Sequence, residues 1–158
     1  MEIKELIAKL ESSAEFKSWE EQNKDFYIVH IFYMTNHPPQ IGYYNEEVDK
    51  IITFDVGDKI VVNPTTEVFK EDKKKVNLLD VEKIKFDMPE IKEKVKAFKE
   101  ENYPNEIIDK EMSILQEISG DFVYNITYFT KAFNTLNVKV NGISGEIMSH
   151  DLSSLVSF

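Results

Sequence analysis

Two halves of this 158-residue chain echo each other, and a chain that repeats itself is expected to build the same supersecondary unit twice. Asp25-Phe26 matches Asp121-Phe122 at an offset of 121 − 25 = 96 residues. His30-Ile31-Phe32-Tyr33-Met34-Thr35 resembles Asn125-Ile126-Thr127-Tyr128-Phe129-Thr130 at an offset of 125 − 30 = 95. Tyr44-Asn45 aligns with Val140-Asn141, Ile51 with Ile147 and Asp55 with Asp151. Each half also opens on a helical stripe, Ile3/Ile7/Leu10 in the first and Ile91/Val95/Phe98 in the second. The expected fold class is therefore α+β, two similar units that each pack a helix on an antiparallel β-sheet. The first unit is expected over 1–72 and the second over 73–158, with a charged seam at 71–80 and one compact structure overall.

The local signals agree with that order. Ile3, Leu6, Ile7 and Leu10 recur at helical spacing until Ser12-Ser13, whose hydroxyls compete for the backbone. Phe16 and Trp19 then lead into a polar turn, Gln22 to Asp25. Phe26–Met34 is dense in β-branched and aromatic residues and predicts a strand. Asn36-His37-Pro38-Pro39 ends it, since proline cannot donate to a ladder. Strands are expected at 41–44, 51–56, 59–62 and 67–70. Asp87, Pro89 and Glu90 announce a second helix with a capping box. Hairpins follow, 112–118 with 122–130 around Ser119-Gly120, and 136–140 with 146–149 around Asn141-Gly142. The apolar tail from Leu152 to Phe158 carries no clear signal.

Charge and composition exclude several function classes. The net charge is −10, and every basic residue is lysine. An acidic surface repels phosphate backbones, so no nucleic-acid partner is expected. The one dense basic run, Lys73-Lys74-Lys75, follows Glu71-Asp72 and reads as a solvated loop tip. Without cysteine there are no disulfides, thiolate metal sites or cysteine nucleophiles. The first residues begin an amphipathic helix rather than an apolar signal core, and no apolar run approaches a membrane span. The expected location is the cytoplasm, with no membrane partner.

The run Asn137-Val138-Lys139-Val140-Asn141-Gly142-Ile143-Ser144-Gly145-Glu146-Ile147 resembles the closing strand, glycine turn and final strand of PepSY-type domains. Tyr43-Tyr44-Asn45-Glu46-Glu47-Val48-Asp49-Lys50-Ile51 looks like a second copy without the glycine. The resemblance covers most of the chain as two copies. It implies a cystatin-like helix on a curved antiparallel sheet, and a non-catalytic module of the kind associated with binding or inhibiting peptidases.

Catalytic and metal signatures are absent from the sequence. His30, His37 and His150 lack the spacing of converging metal ligands, so no metal and no cofactor are expected. There is no G-x-S-x-G elbow and no glycine-rich phosphate loop, and no catalytic residue is assigned. Alternation along the strand sets Val29, Ile31, Tyr33 and Thr35 on one face and His30 on the other. The candidate ligand-binding residues are His30, Tyr33, Tyr43, Tyr44 and Tyr128, because tyrosine offers a large apolar body with a polar tip. Two functions fit. One is a non-catalytic module that binds or regulates a protein or peptide, through a contiguous exposed aromatic patch on the sheet or through a sheet edge. The other is a small-molecule-binding protein or small enzyme with a pocket between helix and curved sheet. Self-association into a homodimer through sheet edges is a further expectation. The asparagine of Asn125-Ile126-Thr127 fits a glycosylation sequon but falls in a strand expected to be buried.

Overall fold

The computed structural model describes residues 1–64, 66–67 and 76–156. The first half of the expected seam (71–75, with Lys73-Lys74-Lys75), the end of the expected strand at 67–70 and the last two residues lie outside the described residues.

Helix α1 spans Ile3–Glu11 and buries Ile3, Leu6, Ile7 and Leu10, the stripe expected from the spacing. A second helix, α2 (Ala14–Glu21), follows where the sequence suggested only a lead into a turn. Ser13 explains both features. Its hydroxyl donates to the Leu10 carbonyl at 2.6 Å, closing α1, and accepts from the Phe16 amide at 3.2 Å, opening α2. Helix α3 (Met88–Asn102) starts on the capping box of Asp87 and Glu90, with Pro89 in the first turn. A single 3₁₀ turn at Val81–Lys83 precedes it.

The strands are β1 (Tyr27–Met34), β2 (Gln40–Asn45), β3 (Lys50–Val56), β4 (Ile60–Val62), β5 (Thr66–Glu67), β6 (Ile108–Ile118), β7 (Asp121–Thr130), β8 (Asn134–Asn141) and β9 (Ile147–Ser154). Eight of them form one antiparallel sheet in the order β4-β3-β2-β1-β6-β7-β8-β9, and β5 pairs with β3. The β6–β7 turn puts Ser119 at φ 51° and Gly120 at φ 84°, both left-handed, as a two-residue hairpin requires.

This overturns the expected fold of two helix-on-sheet units. All strands belong to a single sheet, because β1 pairs with β2 on one side and with β6 on the other. Separate sheets would each leave a row of unpaired backbone donors and acceptors along those strands. Pairing β1 with β6 satisfies them and sets Ile31 opposite Leu115, both fully buried. The repeat registration fails for the same reason. It matches β1 with β7, yet β6 follows α3 and has no counterpart in the letter match.

All three helices lie on one face of the sheet. Phe16 and Trp19 of α2 meet Tyr43 and Phe54, Lys92 of α3 lies 4.9 Å from the centre of the Tyr33 ring, and α1 residues join the same core cluster. Asp87 ties two helix starts together. Its carboxylate accepts from the Met88 amide at 2.8 Å and, through both oxygens at 3.2 Å, from the Ile3 amide of α1. Those amides have no partner within their own helices. Asp87→Ala is expected to destabilise the protein by about 2 kcal/mol and Asp87→Asn by less than half of that. Urea titrations of the two variants check this, and equal losses would show that the caps are not the cause.

Candidate functional site

Register divides the side chains cleanly between two faces. The helix-covered face holds Ile31, Tyr33, Ile41, Tyr43, Phe54, Leu115, Tyr124, Ile126 and Tyr128, all buried except the half-buried Tyr33. The opposite face carries no helix. A register shift in β1 between Ile28 and His30 places Tyr27, His30, Phe32 and Met34 on this open face.

The open face has three zones. Its centre is an apolar strip of Phe32 and Met34 on β1 beside Ile114 and Met112 on β6, all half-buried. On one flank Asp55 accepts from Gln40 Nε2 at 2.6 Å and from Asn63 Nδ2 at 2.9 Å, and Asn63 Nδ2 also reaches Thr53 Oγ1 at 3.0 Å. On the other flank Asn137 Nδ2 donates to Asn125 Oδ1 at 2.5 Å and to Thr127 Oγ1 at 3.0 Å. The sequon asparagine thus has its side-chain oxygen engaged in that network.

His30 sits above the strip, next to Gly42 on β2 and Gln116 on β6. A Cβ at Gly42 would come within 2.3 Å of His30 Cε1, so the imidazole lies against bare backbone that only glycine leaves open. Burial there lowers its pKa to about 4, and the ring is neutral at pH 7. A base that weak is poorly matched to catalysis near neutrality.

The five expected ligand-binding residues do not converge. His30 and Tyr44 are on the open face, whereas Tyr33, Tyr43 and Tyr128 are on the helix-covered face. Tyr44 is fully buried, its hydroxyl donates to Asp49, and its ring meets Tyr27 edge-on with centroids 5.8 Å apart. Tyr43 is packed among Phe16, Trp19 and Phe54, with its hydroxyl 3.4 Å from Glu11. Burial, reinforced by nearby carboxylates, raises the phenol pKa values of Tyr33, Tyr43, Tyr124 and Tyr128. These phenols stay protonated at neutral pH and supply neither base nor nucleophile. Most of the tyrosines are core residues, so the contiguous exposed tyrosine patch does not form.

Sequence reasoning missed Ile114, Met112, Asn125 and Asn137. Strict alternation in the second half held the signal, because the partners of the buried Leu115 and Ile126 in the period-two pattern face the other way. Two grooves lie beside the open face, the second of them reaching the Met34 end of the strip. One, of about 580 Å³, is lined by Tyr27, Glu46, Asn77, Asp80, Lys83 and Glu117. The other, of about 550 Å³, lies among Met34, Lys110, Phe129, Lys131, Phe133 and Leu155. A further histidine cluster stands near the β9 edge, where Tyr103 Oη and His150 Nδ1 share a 2.6 Å hydrogen bond beside Phe98. Among the described residues, no helix is long and apolar enough to cross a membrane.

No protein-family model matches the chain, and no curated protein matches it. The crystal structure of a "putative lipoprotein" from Clostridium difficile 630 is similar over 88% of this chain and 90% of its own, with a TM-score of 0.56. At 16% identity, what this chain shares with the clostridial protein is its fold.

Proposed function

We propose that this chain is a non-catalytic binding module that holds a protein or peptide partner on the open face of its sheet. The observation that supports this reading is the zoning of that face. An apolar centre (Phe32, Met34, Met112, Ile114) is bordered by polar side chains already hydrogen-bonded to each other, amides and a hydroxyl about the Asp55 carboxylate on one side and amides and a hydroxyl on the other. A surface built as an apolar core with a polar rim is the usual anatomy of a protein interface. Rigid rims add to this, since prearranged side chains lose less freedom on binding. The neutral imidazole of His30 extends the apolar centre without placing a charge on it.

A photo-crosslinking amino acid at Ile114, used in extract of the source cells, tests this. The same group at the exposed Lys96 of α3 is the control. A discrete protein adduct is expected from position 114 and not from position 96. Phe32→Glu should reduce that adduct by about tenfold or more, as loss of a central anchor does, with the purified variant still folded and its melting temperature lowered by only several degrees. Adducts of equal yield from both positions, or none from position 114, would overturn the reading.

A further inference from the structure

The two edges of the sheet are unlike. At one end β4 is only three residues long and runs into Asn63-Pro64, where proline has no N–H to offer. At the other end β9 runs for eight residues, seven of them exposed, and pairs only with β8. Natural sheets usually blunt such an edge with lysine or proline. β9 (IMSHDLSS) has neither, and Asp151 is its sole acid in a chain of net charge −10. Two large apolar residues stand exposed on it, Met148 at 47%, where the register against β8 shifts, and Leu152 at 38%; Leu155 at 54% and Val156 at 46% follow its last residue.

We propose that this edge takes a second copy of the same chain, β9 against β9, about a two-fold axis at Leu152. The geometry leaves few registers. Side chains directly opposite each other in an antiparallel pair share a face, and a two-fold normal to the sheet preserves faces, so the axis must pass beside a residue. An axis at Asp151 would set two carboxylates against each other, which is unfavourable. An axis at His150 would set Leu152 opposite Met148, where the register against β8 shifts and the strand is not regular. An axis at Leu152 pairs Leu152 with itself inside the stretch from Ser149 to Ser154, whose register against β8 is unbroken. It also places Asp151 opposite Ser153 and His150 opposite Ser154. His150 already engages Tyr103 through Nδ1, which leaves Nε2 for the facing serine.

Among the described residues β9 is the one long open edge, and a two-fold that pairs it with its own copy closes on itself. Among the described residues the opposite edge offers only β4, three residues long, and β5, two residues long, against the eight of β9. The product is a symmetric dimer with one sheet running through both copies. It uses neither the apolar strip nor its polar rims, so it stands apart from the partner site on the open face. The acidic surfaces repel each other at long range, and salt screens that repulsion.

The natural absence of cysteine makes the test direct. Leu152→Cys puts a single thiol on the axis, opposite its own copy and within disulfide reach. Mild oxidation should give a disulfide-linked dimer from Leu152→Cys much faster than from Ser149→Cys, which faces Leu155 instead. Sedimentation of the unmodified chain should show a concentration-dependent dimer that tightens with added salt. Leu152→Lys should weaken it by about tenfold or more through lost apolar burial and facing like charges, with the melting temperature of the dilute protein unchanged. A chain that stays monomeric at every concentration overturns the proposal, as does a dimer whose crosslinking shows no preference for position 152.

Discussion

Phe54→Ala is expected to lower the folding free energy by about 3–5 kcal/mol, the range for a fully buried phenylalanine. Phe54 is 0% exposed and stands where α2 meets the first half of the sheet. Its ring contacts three aromatic neighbours, Phe16 at 5.5 Å, Trp19 at 5.0 Å and Tyr43 at 5.7 Å. The Trp19 and Tyr43 contacts are edge-on, at 78° and 88°, the arrangement that sets the positive edge of one ring toward the negative face of another. Truncation removes the ring from all three partners at once. The cavity then lies between a helix and a sheet whose backbone positions are fixed by separate hydrogen-bond networks, so collapse is limited. On the open face, Phe32→Ala should cost about 1–2 kcal/mol, since that ring is only partly removed from water. Guanidinium titrations of both variants, read by tryptophan fluorescence, check the ranking. Equal losses would mean that the aromatic cluster is not the centre of the core.

The second large effect concerns pH and His30. Burial holds its folded pKa at about 4, below the ordinary value of 6.5. As pH falls below 6.5 the unfolded chain takes up the proton first, so its free energy drops relative to the folded state. The contribution of His30 is therefore complete above about pH 6.5, is lost as pH falls toward 4, and changes no further below that. The group is partly exposed, and the loss over that window should be about 2–3 kcal/mol. His30→Asn removes the titration, and its side chain can lie over Gly42 without a charge to bury. The stability difference between the parent and His30→Asn should shift by that amount between pH 7.5 and pH 4, measured by urea unfolding at each pH. Parallel profiles would show that the imidazole is solvated in the folded state.

Local elements were largely legible in the sequence where one segment carried its own signal. The capping box at Asp87, the proline break after β1 and the Ser119-Gly120 turn each depend on a few adjacent residues, and each forms as expected. Helix α2 was not legible. Its eight residues bury only Phe16 fully, and its start depends on Ser13 serving two helices at once. The site residues were less legible still. Tyr33, Tyr43 and Tyr44 looked alike as aromatic strand residues, but adjacent positions in a strand point to opposite faces, and a one-residue shift in β1 reassigns the faces of everything before it.

The sequence by itself determined the helices with strong stripes, the strand segments, the turns and the alternation within each strand, because those depend on neighbours in the chain. Tertiary structure alone decided that the two echoing halves share one sheet. That outcome depends on β1 and β6 satisfying each other's backbone groups across 76 or more residues, and no local pattern encodes such a pairing. The same long-range pairing brings Phe32 beside Ile114 to make the apolar strip, and leaves β9 as the one long edge among the described residues.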